Sequence, residues 1–408
     1  GTGGIGARQR APIPERPDTT LRIVNLIQNS DIIHPAATIF SLPLHYKYHS
    51  VPPTRRMSTF RHTIQTLITV FATITCSSGA AAATPYPELD SVICTLMRRY
   101  DLPAASIALM RDDRIIYTAA YGVTDTLRHT PTTIRTRFRI ASLSKPVTMA
   151  GILLLAAHGR LSLDDRVFGE GAILGTDYGP VPRGSGKDLI TVRNLLEHKS
   201  GWENIPDDPM FSNAGATQRQ IIARMLAARS LSAPAGEKYS YSNFGYLVLG
   251  RIIEKVSGMP YGKFIRRHVL RPCGIRRMRI GEAHGDNPRH DEPQYCLLPE
   301  ETGQSYYLDI WRMDSHGGWI ASAADVARFM ARIDRNPAVG DIIPDSLASQ
   351  FYFGFERWIH TGSLPGTAAV MIRIDDRYSF VLLSNKRSCD DRFWDDMSQM
   401  PIHAITGR

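Results

Sequence analysis

From residue 87 the chain reads PELDSVICTLMRRY, and Leu89, Val92, Ile93, Leu96 and Met97 recur at three-to-four spacing, which predicts an amphipathic helix. Two apolar runs follow, SIALM at 106–110 and RIIYTAAYG at 114–122. They are joined through Arg111-Asp112-Asp113, a polar break that predicts a β-hairpin. The far end mirrors this arrangement. GTAAVMIRI (366–374) and YSFVLLS (378–384) flank Asp375-Asp376-Arg377, and FWDDMSQMPIHAI then predicts a closing helix. Between the two strand-rich ends, helical periods dominate, in KPVTMAGILLLAAHGR, TVRNLLEHKSG, QRQIIARMLAAR, FGYLVLGRIIEKVSG and SAADVARFMARI. The expected fold class is therefore α+β. One antiparallel sheet is built from N- and C-terminal strands and flanked by helices, a helical subdomain is inserted between them, and the cleft lies at the junction.

The start of the chain has a different texture. Residues 1–56 show Pro-rich and Thr-rich patches without a sustained period, and they are expected to be a disordered extension upstream of the native start. At Met57 a short basic start (Arg61, His62) precedes an apolar run from Ile64 to Ile74 and the small-residue stretch GAAAA. That order predicts a signal peptide over 57–83 with cleavage near Ala83, leaving 84–408 as the mature domain. The apolar run has about half of the roughly twenty residues a spanning helix needs, so no stable membrane span is expected once the signal is removed. A buried helix of the fold is the alternative reading of the same run, disfavoured because nothing that flanks it would pair with it. The expected location is periplasmic or secreted, in a bacterium. The alternative is an inner-membrane anchor through an uncleaved signal; lipid attachment at Cys76 is disfavoured because Thr73-Ile74-Thr75 lacks the small residue expected before such a cysteine.

Composition changes this picture little. With 43% apolar and 21% charged residues, the 408-residue chain has the profile of a soluble globular protein. A net charge of +9 raises nucleic acid as a partner, but residues 1–83 carry eight basic against three acidic residues, which leaves only +4 for the rest. No nucleic-acid partner is expected. Export would place Cys94, Cys273, Cys296 and Cys389 in an oxidising compartment, where three pairings, or four thiols, remain open. Neither C-x-x-C nor H-E-x-x-H occurs, and no metal or cofactor is expected.

Candidate chemistry begins at RIASLSKPVT (139–148). If a helix starts near Ser142, with Pro146 in its first turn and Gly159 past its end, the Ser142 hydroxyl sits at the positive pole and Lys145 stands one turn later on the same face. A lysine in a partly dry cleft can lose its proton and serve such a serine as base. By itself S-x-x-K arises by chance about once in a chain of this size, and a helix-capping serine beside a solvated lysine explains it. Two further stretches alter that balance. Tyr241-Ser242-Asn243 lies directly ahead of an apolar helix, and His360-Thr361-Gly362 lies directly ahead of a strand.

The order S-x-x-K, Y-x-N, H-T-G resembles the serine β-lactamase and penicillin-binding protein family, particularly its class C, D-Ala-D-Ala carboxypeptidase and carboxylesterase branches. FRIASLSK, LLEHKSGW, GEKYSYSNFGYLVLGRIIEKVSGMPY, HGGWIASAADVARFM and HTGSLPG follow the family's order from about Pro103 to Ile405. Some of these are expected to be scaffold, with Thr191 and Ser322 as helix caps and Gly317 and Gly318 as turn residues. The resemblance implies a β-lactamase/transpeptidase-like fold and an exported serine hydrolase acting through an acyl-enzyme on an amide, ester or β-lactam carbonyl. Its substrate would be a small molecule or peptide, and its activity D-Ala-D-Ala carboxypeptidase-like or esterase-like. The alternatives are a β-lactamase and a sensor that captures penicillins or cell-wall fragments without turnover. Ser142 is then the nucleophile, Lys145 its hydrogen-bonded partner and Tyr241 the general base and acid. That last role needs a lowered phenol pKa or a proton shared with Lys145. Asn243 would orient Lys145 and a substrate amide, and the N–H groups of Ser142 and Ser363 would form an oxyanion hole. His360, Thr361, Gly362 and Ser363 would bind substrate. His360 departs from the lysine usual in β-lactamases, and it carries charge only when protonated.

Overall fold

The computed structural model describes residues 85–212, 215–282, 291–301, 309–351 and 355–407. The upstream extension, the expected signal and Cys76 lie outside the described residues.

The first helix, α1 (Pro87–Tyr100), leads into the hairpin of β1 (Ala104–Arg111) and β2 (Arg114–Asp125), and the short β3 (Thr130–Pro131) and β4 (Phe138–Arg139) follow. Helices α2 (Ser144–Ala157), α3 (Val192–Leu196), α4 (Pro209–Ser212), α5 (Gln218–Ala228), α6 (Asn243–Ser257) and α7 (Tyr261–Ile265) form the helical body. Then come β5 (Arg279–Ile280), β6 (Trp319–Ala321), α8 (Ala323–Met330) and α9 (Asp345–Ala348). The chain closes with β7 (Trp358–Leu364), β8 (Thr367–Arg373), β9 (Tyr378–Ser384) and α10 (Phe393–Thr406).

The main sheet has the order β3-β2-β1-β9-β8-β7, so the N-terminal hairpin and the C-terminal strands meet where β1 pairs antiparallel with β9. A smaller sheet joins β4, β6 and β5. In β1 every residue but Arg111 is buried, and β8 is buried throughout, because both faces of the sheet are covered. Ile107, Leu109, Val370, Phe380 and Leu382 pack beneath Leu89, Ile93, Phe393 and Met397 of the two terminal helices. Ala108, Met110, Met371 and Val381 point the other way, into the core shared with the helical body. This explains why the strands read as continuous apolar runs, although an antiparallel sheet with one wet face would alternate.

Helix α2 is buried on nearly every side from Ser144 to Leu155. It packs against α6 and α7, and the turn just ahead of it lies against β7. Thr191, Thr217, Ser242 and Ser322 each cap a helix by accepting from a backbone N–H three residues on. Ser322 and Thr191 thus have the scaffold role expected of them. Gly318 is more than a turn residue: a Cβ there would stand 2.5 Å from the Ile310 carbonyl oxygen.

One placement differs from expectation. His360-Thr361-Gly362 precedes the strand β8 as expected, but it also lies inside a strand of its own, the edge strand β7. Its residues alternate between buried and half-buried, and Gly362 is there for a close approach to the neighbouring turn rather than to bend the chain. Cys273 is buried, Cys296 is half-buried, and both carry free thiols. Burial pushes the Cys273 thiol up to about 12, so it is inert at neutral pH. Among the described residues no helix is long and apolar enough to cross a membrane.

Candidate active site

The segment carrying Ser142 enters α2 through a single 3-10 turn, Ala141–Leu143. Ala141 has a φ of 47°, a left-handed conformation costly for a residue with a Cβ. The next residue is Ser142, which brings its hydroxyl to the junction of sheet and helical body. Lys145 follows one turn later, only 1% exposed.

Three distant segments converge on the Ser142 hydroxyl. Lys145 Nζ lies 3.1 Å from Ser142 Oγ, and the Tyr241 hydroxyl donates to the same oxygen across 2.6 Å. Lys145 Nζ also donates to Asn243 Oδ1 at 2.7 Å and to the His316 carbonyl at 2.8 Å. These three acceptors match the three N–H bonds of an ammonium. Only one of them, however, carries a proton that it can give up. As a neutral amine, Lys145 keeps its two N–H bonds for the amide and carbonyl oxygens, so its lone pair faces Ser142. Burial lowers the Lys145 pKa to about 7, with the Asp208 carboxylate opposing the shift, so the amine is well populated at neutral pH.

Tyr241 moves the opposite way. Burial pushes its phenol well above its ordinary value despite the hydrogen bond with Ser142. Of the two routes left open by the sequence, an ionised phenol and a proton shared with lysine, this environment favours the second. The ring stacks on His198 with centroids 4.7 Å apart, and Lys145 Nζ lies 4.7 Å from the Tyr241 ring centroid. His198 is held well below its ordinary pKa by burial and by Lys145, and its neutral Nδ1 accepts from Ser242 N–H at 3.0 Å. It therefore braces the Tyr241–Asn243 segment, which Asn204 also grips through the Tyr241 carbonyl at 3.0 Å.

Strand β7 closes the site from the sheet side. His360 Nε2 donates to the Ser142 carbonyl at 3.0 Å. Burial, then Lys145, depress its pKa to about 3, so His360 supplies no positive charge at neutral pH. Two residues on, a Cβ at Gly362 would lie 2.3 Å from the Ile140 carbonyl and 3.2 Å from Ser142 N. Leu364 and Thr367 close the tight turn between β7 and β8 as a hydrogen-bonded pair, and pairs alternate along the ladder. Ser363, opposite Ala368, therefore turns its N–H off the open edge, as an oxyanion donor requires. Thr361 and Ser363 share the face opposite Gly362. There Ser363 Oγ accepts from Arg387 Nη1 at 2.7 Å, and Arg387 also pairs with the buried Glu301.

The structure thus gathers Ser142, Lys145, Tyr241 and Asn243 into one hydrogen-bonded set, with His360 and Gly362 against the turn that carries Ser142 and with Thr361 and Ser363 along the edge. Sequence reasoning missed Asp208, which accepts from Asn243 Nδ2 at 2.7 Å, as well as His198, the His316 carbonyl and Arg387. These belong to loops and segment ends; His198 and His316 lay inside the stretches LLEHKSGW and HGGWIASAADVARFM without being singled out, and Asp208 had only the Asp207-Asp208-Pro209 run to mark it. Among the described residues no group of three or more His, Cys, Asp or Glu is placed to hold a metal.

Comparison with known proteins bears on the family and the fold. Penicillin-binding protein 4* of Bacillus subtilis (strain 168) is 30% identical over 362 residues, spanning 79% of this chain and 76% of its own. D-amino acid amidase from Ochrobactrum anthropi SV3, solved with L-phenylalanine amide, superposes with a TM-score of 0.62 at 20% identity, covering 79% of this chain and 98% of the amidase. EstCE1, described as a hydrolase with promiscuous acyltransferase activity, gives 0.59 at 20% identity over 77% of this chain and 97% of its own. The family model described as Beta-lactamase matches residues 89–396, and the chain belongs to that family of serine hydrolases.

Proposed function

We propose that this protein is an exported acyl-enzyme hydrolase of D-Ala-D-Ala carboxypeptidase-like or esterase-like specificity, with residues 57–83 as its signal. The observation that carries the reading is the convergence of Tyr241 and Lys145 on Ser142 Oγ, at 2.6 and 3.1 Å. Ser142 attacks the substrate carbonyl carbon while its proton passes to the Lys145 amine. The carbonyl oxygen, now negative, is held by the N–H groups of Ser142 and Ser363. On collapse the leaving amine or alkoxide takes a proton from the Tyr241 hydroxyl, which Lys145 replenishes. Water then attacks the ester on Ser142 by the same steps in reverse.

A fluorophosphonate probe is expected to label the protein once, on the peptide containing Ser142; labelling elsewhere, or none, refutes the assignment. A panel of nitrophenyl butyrate, a D-Ala-D-Ala peptide and a chromogenic cephalosporin assigns the substrate class. Rapid cephalosporin turnover would favour a β-lactamase. A lasting adduct without released product would favour a sensor.

Arg387 supports the peptidase side of the reading. With His360 neutral, the guanidinium of Arg387, beside Ser363 and paired with Glu301, is a cation at this edge, and with Thr361 on the same face it would offer donors to a substrate carboxylate next to the scissile bond. Arg387→Ala is expected to raise KM for a D-Ala-D-Ala peptide about tenfold and to leave KM for neutral nitrophenyl butyrate unchanged. Equal effects on both substrates would remove Arg387 from substrate recognition.

A further inference from the structure

Asp208 belongs to none of the motifs that mark the site, yet its carboxylate sits against the catalytic set, just ahead of α4 and only 6% exposed. Asp208 Oδ1 accepts from the Met210 N–H at 2.8 Å, and Oδ2 accepts from Asn243 Nδ2 at 2.7 Å. A carboxylate has no proton to give, so this contact decides which end of the Asn243 amide faces Lys145. With Nδ2 held by Asp208, Oδ1 must point at Lys145 Nζ, where it meets an N–H at 2.7 Å. If the amide turned over, its NH2 would face the lysine, and the amine's lone pair would be drawn away from Ser142.

We propose that Asp208 is a positioning residue that locks the Asn243 amide in one orientation and thereby aims the Lys145 lone pair at Ser142. The inference rests on the acyl-enzyme reading above. It gives direction to the whole chain of hydrogen bonds: Tyr241 donates to Ser142, Ser142 to Lys145, Lys145 to Asn243, and Asn243 to Asp208. The charged and titratable groups around Lys145 are Asp208, Tyr241, Tyr246, His198, His316 and His360. Asp208 is faced by Lys145 and by Asp207, which is itself paired with Arg229. Burial raises the Asp208 carboxyl, while Asn243, the Met210 N–H and Lys145 draw it back down.

The test exchanges the two side chains. In Asp208→Asn the single remaining oxygen can serve either Met210 N–H or Asn243 Nδ2, so the amide lock is lost. Turnover of nitrophenyl butyrate is expected to fall about ten- to a hundredfold in kcat, with KM little changed. The double variant Asp208→Asn/Asn243→Asp restores the polarity. The amide then carried at position 208 can donate to the carboxylate carried at position 243, which still presents an oxygen to Lys145. The double variant is expected to recover about tenfold or more over Asp208→Asn, with the acidic limb of kcat/KM moved to higher pH by the carboxylate now touching Lys145. Asp208→Ala, which frees the amide without a clash, is expected to match the loss of Asp208→Asn should that variant fail to fold. Single variants within about threefold of the wild type, or a double variant no better than Asp208→Asn, overturn the proposal. Labelling of wild-type Ser142 in the same preparation reports on the acyl-enzyme reading itself, so the two failures are told apart.

Discussion

Lys145→Met is expected to reduce kcat/KM for an activated ester by about 10^3- to 10^4-fold, towards the upper end of what losing a positioned base costs. Methionine nearly matches the lysine stem in volume but cannot take the Ser142 proton, and it leaves Asn243 Oδ1 and the His316 carbonyl without their donor. In the wild type, kcat/KM is expected to fall as pH drops below about 7, where the lysine becomes an ammonium. The same substitution alters stability with a definite sign. The Lys145 pKa is about 7 in the folded protein and 10.5 as a free side chain, so between these values the unfolded chain binds a proton that the folded one does not. Wild-type stability attributable to Lys145 is therefore fully present above 10.5 and is lost as pH falls to 7. Thermal melts at stepped pH are expected to show the wild type gaining on Lys145→Met from about pH 7 to about pH 10. A difference independent of pH would mean that Lys145 keeps an ordinary pKa and serves only as a fixed cation.

Gly362→Ala is expected to lower kcat on the order of 10^2- to 10^3-fold, comparable with removing an oxyanion-hole donor. The added methyl would lie 2.3 Å from the Ile140 carbonyl oxygen and 3.1 Å from Leu143 Cδ1, and the first of these is backbone. Strand β7 and the Ala141–Leu143 turn must therefore separate. That separation pulls Ser363 N–H away from Ser142 N–H and lengthens the His360 bond to the Ser142 carbonyl. Acylation kinetics and the melting temperature together check this: kcat should collapse while KM for a small ester changes little, and the melting temperature should fall. Unchanged kcat would show that the two N–H groups do not act as one anion site.

Much of the fold was legible because its strands and helices are long and bounded by polar breaks. Asp375-Asp376-Arg377 separates β8 from β9, and the α1 and α10 periods are regular. Strand β7 was harder to read because His360 and Gly362 occupy it for the sake of the neighbouring turn rather than for β-propensity. The two- and three-residue strands β4, β5 and β6 are too short to carry a period at all. Within the site, Ser142, Lys145, Tyr241 and Asn243 stand in compact motifs at helix starts, where a local pattern exists. Asp208, Arg387 and the His316 carbonyl reach the site from loops through tertiary placement alone. A backbone carbonyl leaves no mark in the sequence, and the positive φ of Ala141 has none of the glycine or asparagine that ordinarily announces one.

The pairing of β1 with β9 sets Ala105 opposite Ser384. During synthesis, β1 leaves the ribosome long before its central partner exists, and it waits with seven buried-type residues along an open edge. Such late closure makes this pairing one of high sequence separation, which slows folding and leaves the strand edge exposed until the final strands arrive.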